Sequence, residues 1–338
     1  VIKNFFEMPL LGSKYDVKSG LSTGDNEIFV RRWHEINLNK MFLEHSDDES
    51  VRNGYKWFPY SKGGGIQKWY GNKELVVNYE NNAQDIKDLG LGVFRNPSYY
   101  FREGLTWSGM SSLFVSYRFL EAGGIFDSNK GPMIFCKNDD ASLYYALGLL
   151  NTKISNTYTN LLNPTVSTQI GDVIQIPIKL DDTSKDHIES LAKSNILISK
   201  HDWDAHETSW DFQENELVKL QKEGIGTITA DLGETTVMRY STLNLLYAEY
   251  VAKWEKMFRD LHANEEELNR KFIEIYGLQD ELTPDVPLDE VTILQQGEIK
   301  IENGQLQFQR DVVIKQLISY AIGCWMGRYR LDKPGLHI

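Results

Sequence analysis

Leu143, Leu147 and Leu150 recur at helical spacing, and Asn151 comes directly after them as a helix stop. Further on, Val173-Ile174-Gln175-Ile176-Pro177-Ile178 is a β-branched run entered through Gly171-Asp172, and Pro177 puts it at a strand end or sheet edge. Between the two lies Leu162-Asn163-Pro164-Thr165, a turn signal in a polar segment. This joint divides the chain. Before it, apolar residues come in short β-rich runs (Tyr99-Tyr100-Phe101, Leu113-Phe114-Val115-Ser116-Tyr117, Met133-Ile134-Phe135) with turns at Ala122-Gly123-Gly124 and over 127–132. After it, helical spacing dominates. Asp181-Asp182-Thr183-Ser184 predicts a linker and helix cap with helix to about 199, and residues 201–210 form an aromatic and acidic connector.

The longest periodic run is Leu243, Tyr247, Tyr250, Trp254, Met257 and Leu261, continued by Leu268, Phe272 and Ile275 and closed by Gly277. Asn264 with Glu267 offers an internal capping box that would break this helix in two, and the helix over 186–199 is the nearest partner for its apolar seam. Residues 284–308 read as an acidic loop and a small hairpin, 291–294 against 299–301, turning again at Asn303-Gly304. A last helix, about 311–329, gathers Ile314, Leu317, Ile318, Ala321 and Trp325 on one face. The pattern predicts an α+β fold: a mixed β-sheet domain over 1–180, then a helical spacer and tail over 181–338 with a long heptad-like helix, a small hairpin and a final helix.

Charge changes this picture. The 338 residues carry a net charge of −12, which argues against a nucleic-acid partner. Division at the joint removes the objection: residues 1–180 hold 19 Lys+Arg and 19 Asp+Glu, and residues 181–338 hold 17 and 29. A neutral first half can present a basic face; an acidic second half must turn away from phosphates. Cys136 and Cys324 sit alone in apolar surroundings and read as reduced thiols of a cytoplasmic protein. No apolar run approaches the roughly 20 residues needed to span a bilayer. The start at Val1 suggests a piece of a longer protein.

Residues 52–73 hold five cations (Arg52, Lys56, Lys62, Lys68, Lys73), six aromatic residues and no acid, around Gly63-Gly64-Gly65. Two readings fit. Lysines and close glycine backbone meet phosphates while rings stack on bases or sugars, or the aromatics pack in a hairpin core and the lysines are merely solvated. Arg95, Arg102, Arg118 and Lys130 add further cations, which either contact phosphate or guanine or pair with Glu103 and Glu121. The residues assigned to DNA are Arg31, Arg32, Arg52, Lys56, Lys62, Gly64, Lys68, Lys73, Arg95, Arg102 and Lys130.

Other chemistry finds weaker support. Asn96-Pro97-Ser98-Tyr99 comes within one residue of the base-holding motif of adenine methyltransferases, but no glycine-rich strand-turn-helix precedes it. Pro284-Asp285 with the later Glu298-Ile299-Lys300 has the letters of a magnesium-dependent nuclease core, a pattern that acidic chains produce by chance. His201 and His206 lie among acids but lack metal-ligand spacing, and Trp203 and Trp210 explain that cluster as packing. No catalytic, cofactor or metal residue is assigned.

Gly20-Leu21-Ser22-Thr23-Gly24-Asp25-Asn26-Glu27-Ile28-Phe29 resembles the opening signature of target-recognition domains in DNA methyltransferases and restriction enzymes. Leu150-Asn151-Thr152-Lys153 with Gln169-Ile170-Gly171-Asp172 through Pro177-Ile178 resembles the closing one. Lys56-Trp57-Phe58-Pro59-Tyr60, Phe101 to Ser108 and Tyr276 to Leu282 are similar to the carboxy-terminal part of PglX-like adenine-specific methyltransferases of bacteriophage-exclusion (BREX) defence, a likeness running from Gly20 to Leu336. The resemblance implies a recognition domain for double-stranded DNA and then a helical spacer, without a catalytic domain. It implies a parent enzyme that methylates the exocyclic amine of adenine with S-adenosylmethionine, while this chain itself holds no cofactor. The acidic half would then meet other defence-system proteins, and docking is the alternative to DNA reading; a nuclease is the third.

Overall fold

The computed structural model describes residues 3–110, 114–230, 233–238 and 242–337. Its amino-terminal part is built from short strands: β1 (Tyr15–Lys18), β2 (Leu21–Ser22), β3 (Val30–Arg32), β4 (Trp57–Ser61), β5 (Leu75–Asn78), β6 (Val93–Phe94), β7 (Gly104–Trp107), β8 (Tyr117–Leu120), β9 (Ile125–Phe126) and β10 (Met133–Cys136). Two four-stranded sheets result, ordered β1-β10-β7-β8 and β3-β5-β4-β9, and β2 pairs with β6. All pairings are antiparallel except β4 with β9, which makes the second sheet mixed. Phe58 and Tyr60 of β4, Val77 of β5, Ile125 and Phe126 of β9, and Met133 and Phe135 of β10 pack into one apolar cluster fed by both sheets.

By chain contacts the protein divides into two units, residues 1–200 with 264–286, and residues 201–263 with 287–338. Both Lys185–Asp204 and Leu243–Tyr276 are helices that contribute residues to each unit. Residues 181–200 and 264–286, expected in the spacer, are therefore counted with the strand-rich unit.

Several elements stand where the pattern put them. The helix Leu143–Leu150 is capped by Ser142, whose hydroxyl accepts from Tyr145 N, and ends at Asn151. The long helix ends at Tyr276 because Gly277 takes a left-handed φ of 65° and Leu278 N donates back to Ile273 O at 2.9 Å. It is not broken at Asn264: that side chain donates to Asn195 Oδ1 at 2.9 Å instead of capping, which supplies the expected contact with the helix over 186–199.

Others differ, for local reasons. Residues 173–178 are not a strand; Ile170–Val173 is a short helical turn, because Asp172 accepts from Gln169 N and holds the chain in a turn. Residues 174–178 border residues 9–12 instead, with an isolated bridge between Leu10 and Pro177. Tyr99-Tyr100-Phe101 is a tight turn after Pro97, with Phe101 at φ 68°, so those rings enter the core without a ladder. Leu113 lies outside the described residues, and the strand near it begins at Tyr117.

In the second unit, β11 (Ile225–Ala230) pairs with β12 (Gly233–Met238), and β13 (Ile299–Glu302) pairs with β14 (Gln305–Phe308) across Asn303-Gly304, both at positive φ. Residues 291–294 form no strand. Leu294, at φ 58°, is buried and its N–H is taken by Asp202 Oδ1 at 2.8 Å. The last helix, Arg310–Trp325, buries Val313, Tyr320 and Gly323; of the face expected for it Ile314, Leu317 and Ala321 are half-buried, while Ile318 is 52% and Trp325 85% exposed. Aromatic stacking decides this: Tyr320 and Tyr329 stack at 5.2 Å beside Phe212, and Gly323 has no Cβ to obstruct the Tyr329 ring.

The unit is also held by buried charge. His206 Nε2 meets Glu298 Oε1 at 2.6 Å and its Nδ1 meets Asp202 O at 2.7 Å. Glu298 further accepts from Gln316 Nε2 and Gln296 N. Burial opposes charge on His206, yet the Glu298 hydrogen bond and neighbouring carboxylates outweigh it and lift the imidazole to about 9. Burial likewise opposes the Glu298 carboxylate, and the His206 contact overcomes it and lowers its pKa. Burial raises Asp202 to about 6.

A histidine raised from 6.5 to about 9 gives stability that is complete below 6.5 and lost as pH climbs through about 9. Asp202, raised from 3.8 to about 6, acts in the same direction at lower pH. Glu298, lowered from 4.5, contributes above that value and loses it on acidification. Unfolding stability should thus fall between pH 6.5 and 9, by up to about 3 kcal/mol from His206, and the thermal midpoint with it. His206→Gln should flatten that limb in a pH series of melts; an unchanged slope would refute the assignment.

Candidate nucleic-acid interface

The two bracketing motifs are structural at close range. Gly20 passes so near β9 that a Cβ there would stand 2.0 Å from Phe126 O. Asp25 caps the short helix Asn26–Phe29 by accepting from Glu27 N and Ile28 N. In the closing motif Asn151 clamps the backbone of Tyr117, accepting from its N at 2.9 Å and donating to its O at 3.0 Å. Thr152 caps the helix Lys153–Leu162, and Lys153 N donates to Asn269 Oδ1 at 2.9 Å. Ile176 O and Ile178 N bond to Leu11 N and Pro9 O, both at 2.8 Å. Both signatures therefore encode close approach and capping rather than a ligand set.

The residues assigned to DNA fall into separate groups. Lys62, Gly64 and Lys130 come together: Lys62 pairs with Asp127 at 3.3 Å and donates to Asn26 Oδ1, while the Lys130 carbonyl lies against Gly63. Asp127 Oδ1 also accepts from the N–H groups of Asn129 and Lys130, which folds the 127–130 turn beside the opening motif. Arg95 is exposed at the end of β6, the partner of β2, and next to it Asn96 donates to Ser19 O at 2.9 Å. One face thus gathers the opening motif, the glycine loop, the 127–130 turn and the end of β6.

The remaining members lie elsewhere. Arg31 donates to Glu27 O and Val30 O, and exposed Arg32 approaches Glu74 at 3.8 Å, both on β3. Arg52 lies over the Phe101 ring at 3.8 Å, and Lys56 pairs with Glu80 at 3.3 Å. Arg52 and Glu80 border a small pocket of about 90 Å³ with Tyr55, Phe58 and Tyr79. Arg102 is exposed over Tyr99 and Phe135, on an open cleft of about 720 Å³ that also holds Glu103, Lys185, Glu189 and Lys193.

Lys68 and Lys73 are 3% and 7% exposed. Lys68 pairs with Glu265, whose other oxygen accepts from Trp69 Nε1 at 2.7 Å. Lys73 pairs with Glu121, which also meets Lys200 at 3.3 Å. Burial works against the Glu121 carboxylate, but these two cations hold it down at about 2. Phe58, Tyr60, Trp69 and Tyr70 are buried as well, as the packed-core reading of 52–73 expects for these rings, but Lys68 and Lys73 are buried with them and not solvated. Both ammonium groups, expected at DNA, are buried against a carboxylate and would have to leave it to reach a phosphate.

Asn96 has a backbone-tying role and not a base-holding one, since its amide is bonded to Ser19 O. Glu298 of the nuclease pattern is 1% exposed and bound to His206, and no group of three or more metal-type ligands exists among the described residues. Sequence reasoning missed Glu265, which has no local signal because it matters through Lys68 and Trp69, distant in the chain; Asn26 was quoted in the opening motif, but its bond to Lys62 was not foreseen.

No family model matches the chain. Two curated proteins do. The adenine-specific methyltransferase BrxX of Escherichia coli O9:H4 (strain HS) is 35% identical over 340 residues, 99% of this chain and 26% of that protein. The adenine-specific methyltransferase PglX of Lacticaseibacillus casei (strain Zhang) is 36% identical over 327 residues, 94% of this chain and 25% of that protein. The chain is PglX-like. It spans about a quarter of the length of the curated relatives it matches. No helix among the described residues of this PglX-like chain is long and apolar enough to cross a membrane.

The Lys68–Glu265 pair gives a direct check. Glu265→Gln keeps an acceptor for Trp69 but removes the charge that balances Lys68, and should cost about 3 kcal/mol in denaturant unfolding. Replacing both partners, Lys68→Met with Glu265→Gln, keeps that acceptor and should cost far less than the single change. A single change within about 0.5 kcal/mol of wild type would show the pair to be dispensable.

Proposed function

We propose that residues 1–180 read a short sequence in double-stranded DNA and hold the duplex for an adenine-specific methyltransferase whose catalytic domain lies outside this chain, the remainder acting as helical spacer. The carrying observation is the face on which Lys62, Gly64, Lys130 and the exposed Arg95 accompany the opening motif. Both relatives are named adenine-specific methyltransferases, which supports DNA as the substrate and S-adenosylmethionine as the parent enzyme's methyl donor. Exposed arginine and lysine neutralise phosphates and set register, whereas arginine at a base edge selects guanine. Arg31, Arg32, Arg52, Lys56 and Arg102 fit outlying phosphate contacts, with carboxylate, carbonyl or ring partners that DNA would have to displace.

A second reading has its own support. Residues 181–338 carry 29 acids against 17 bases, and Ile318, Ile322, Trp325 and Met326 at the last helix are 52%, 45%, 85% and 73% exposed. Those features suit protein partners of a defence complex better than a phosphate backbone.

Titration of the chain with duplex DNA across salt concentrations separates the two. Affinity should fall steeply with salt, and Arg95→Gln and Lys130→Gln should each reduce the log-log slope by about 1. Lys73→Met should instead lower stability, leaving the slope of the folded fraction intact. Absence of DNA binding at low salt would remove the DNA reading and leave docking.

A further inference from the structure

Arg118 is 1% exposed in β8, between two aromatic residues. Its Nη1 donates to Gln67 O and its Nη2 to Ser108 Oγ, both at 3.2 Å, while its Nε has no acceptor. Lys68 and Lys73, the buried lysines among the described residues, each hold a carboxylate. Arg118 has none within the 4.0 Å of an ion pair among the described residues. Burial alone acts on its guanidinium, lowering it to about 10, so it stays charged at neutral pH. A buried cation with no counter-charge is among the costliest arrangements a fold can keep.

A second orphan lies beside it. Gln67 is 8% exposed, its carbonyl serves Arg118, and its side-chain Nε2 has no acceptor. The surroundings are polar rather than greasy: Ser116 Oγ accepts from Gln67 N at 3.2 Å, and Thr106, the strand partner of Arg118, is bonded through its hydroxyl to Ser61 and Pro132 O. The chain reaches Gln67 through Gly63-Gly64-Gly65. A Cβ on Gly63 would lie 3.7 Å from Ser108 Cα, whereas one on Gly65 would meet nothing within 4 Å. The loop therefore touches the Ser108 backbone at one end and faces open space at the other. Gly63 and Gly64, at φ 78° and 131°, let the chain take this path, and Asn72 Nδ2 donates to Gly65 O at 2.9 Å on its outer side.

We propose that Arg118 and the Gln67 amide form the floor of an oxyanion site that takes a phosphate group, entered beside the Gly63-Gly64-Gly65 loop. The guanidinium Nε and the amide Nε2 are the two donors left for it, and Lys62 and Lys130 flank the entry. A phosphodiester of a nucleic-acid backbone and free inorganic phosphate share this chemistry. The first source rests on the DNA reading above, and the second does not.

Thermal unfolding of the whole chain, in phosphate and in chloride of matched ionic strength, tests the site. Phosphate should raise the wild-type midpoint by about 2–4 °C over chloride. Arg118→Met should abolish that increment, and Gln67→Met should reduce it, the latter serving if Arg118→Met fails to fold. Equal wild-type midpoints in the two salts, with DNA affinity the same in wild type and Arg118→Met, would overturn the proposal, as would an increment that survives Arg118→Met. Saturating duplex DNA identifies the source: loss of the phosphate increment, with a salt slope lower by about 1 in Arg118→Met, assigns the site to a backbone phosphate. Persistence of the increment with duplex bound assigns it to the free anion. DNA binding that ignores Arg118 leaves the DNA reading standing without this site, and a phosphate increment without DNA binding does the reverse.

Discussion

A charge left alone in a protein interior is costly, and in the strand-rich unit Glu265 removes that cost for Lys68. This carboxylate takes the ammonium of Lys68 and the indole N–H of Trp69, 196 residues away in the chain. Related long-range bonds surround it: Lys153 N to Asn269, Asn4 to Tyr158, and Tyr276 Oη to Pro177 O. The end of the long helix is thus a component of the first unit's core and supplies the acid its basic segment lacks. The neutral balance of residues 1–180 describes the sequence and not the folded unit, because the unit borrows acids from further along.

Much of the architecture was legible because it is local. Asn151 ends a helix, Gly277 ends another and Asn303-Gly304 turns a hairpin; each acts on neighbours within a few residues. What failed needed distant partners. Asn264 has the letters of a cap but bonds to Asn195, and residues 291–294 have strand propensity but are drawn to Asp202. The last helix carries more aliphatic residues on its exposed side, and its buried side is chosen by Tyr329, beyond its own end.

The candidate site shows the same limit more sharply. Composition pointed to residues 52–73, yet charge counting cannot separate Lys62, half-buried against Asp127, from Lys68, six residues on and sealed from water. A lysine facing a carboxylate from another element looks the same in sequence as one facing solvent. Arg118 carried the opposite signal, a lone cation inside the run Tyr117–Leu120, and such a residue is conspicuous only once its surroundings prove to hold no acid.

The order in which the first unit is assembled along the chain has a consequence for synthesis. Its residues leave at 200 and resume at 264, so a ribosome must complete the whole of 201–263 before the acid for Lys68 exists. Until then Lys68 and Trp69 emerge without the carboxylate they share, while Lys56, Lys62 and Lys73 have theirs within the first 130 residues. The nascent strand-rich unit thus lacks this acid through some sixty intervening residues, an interval in which an unfinished core is exposed to misassembly.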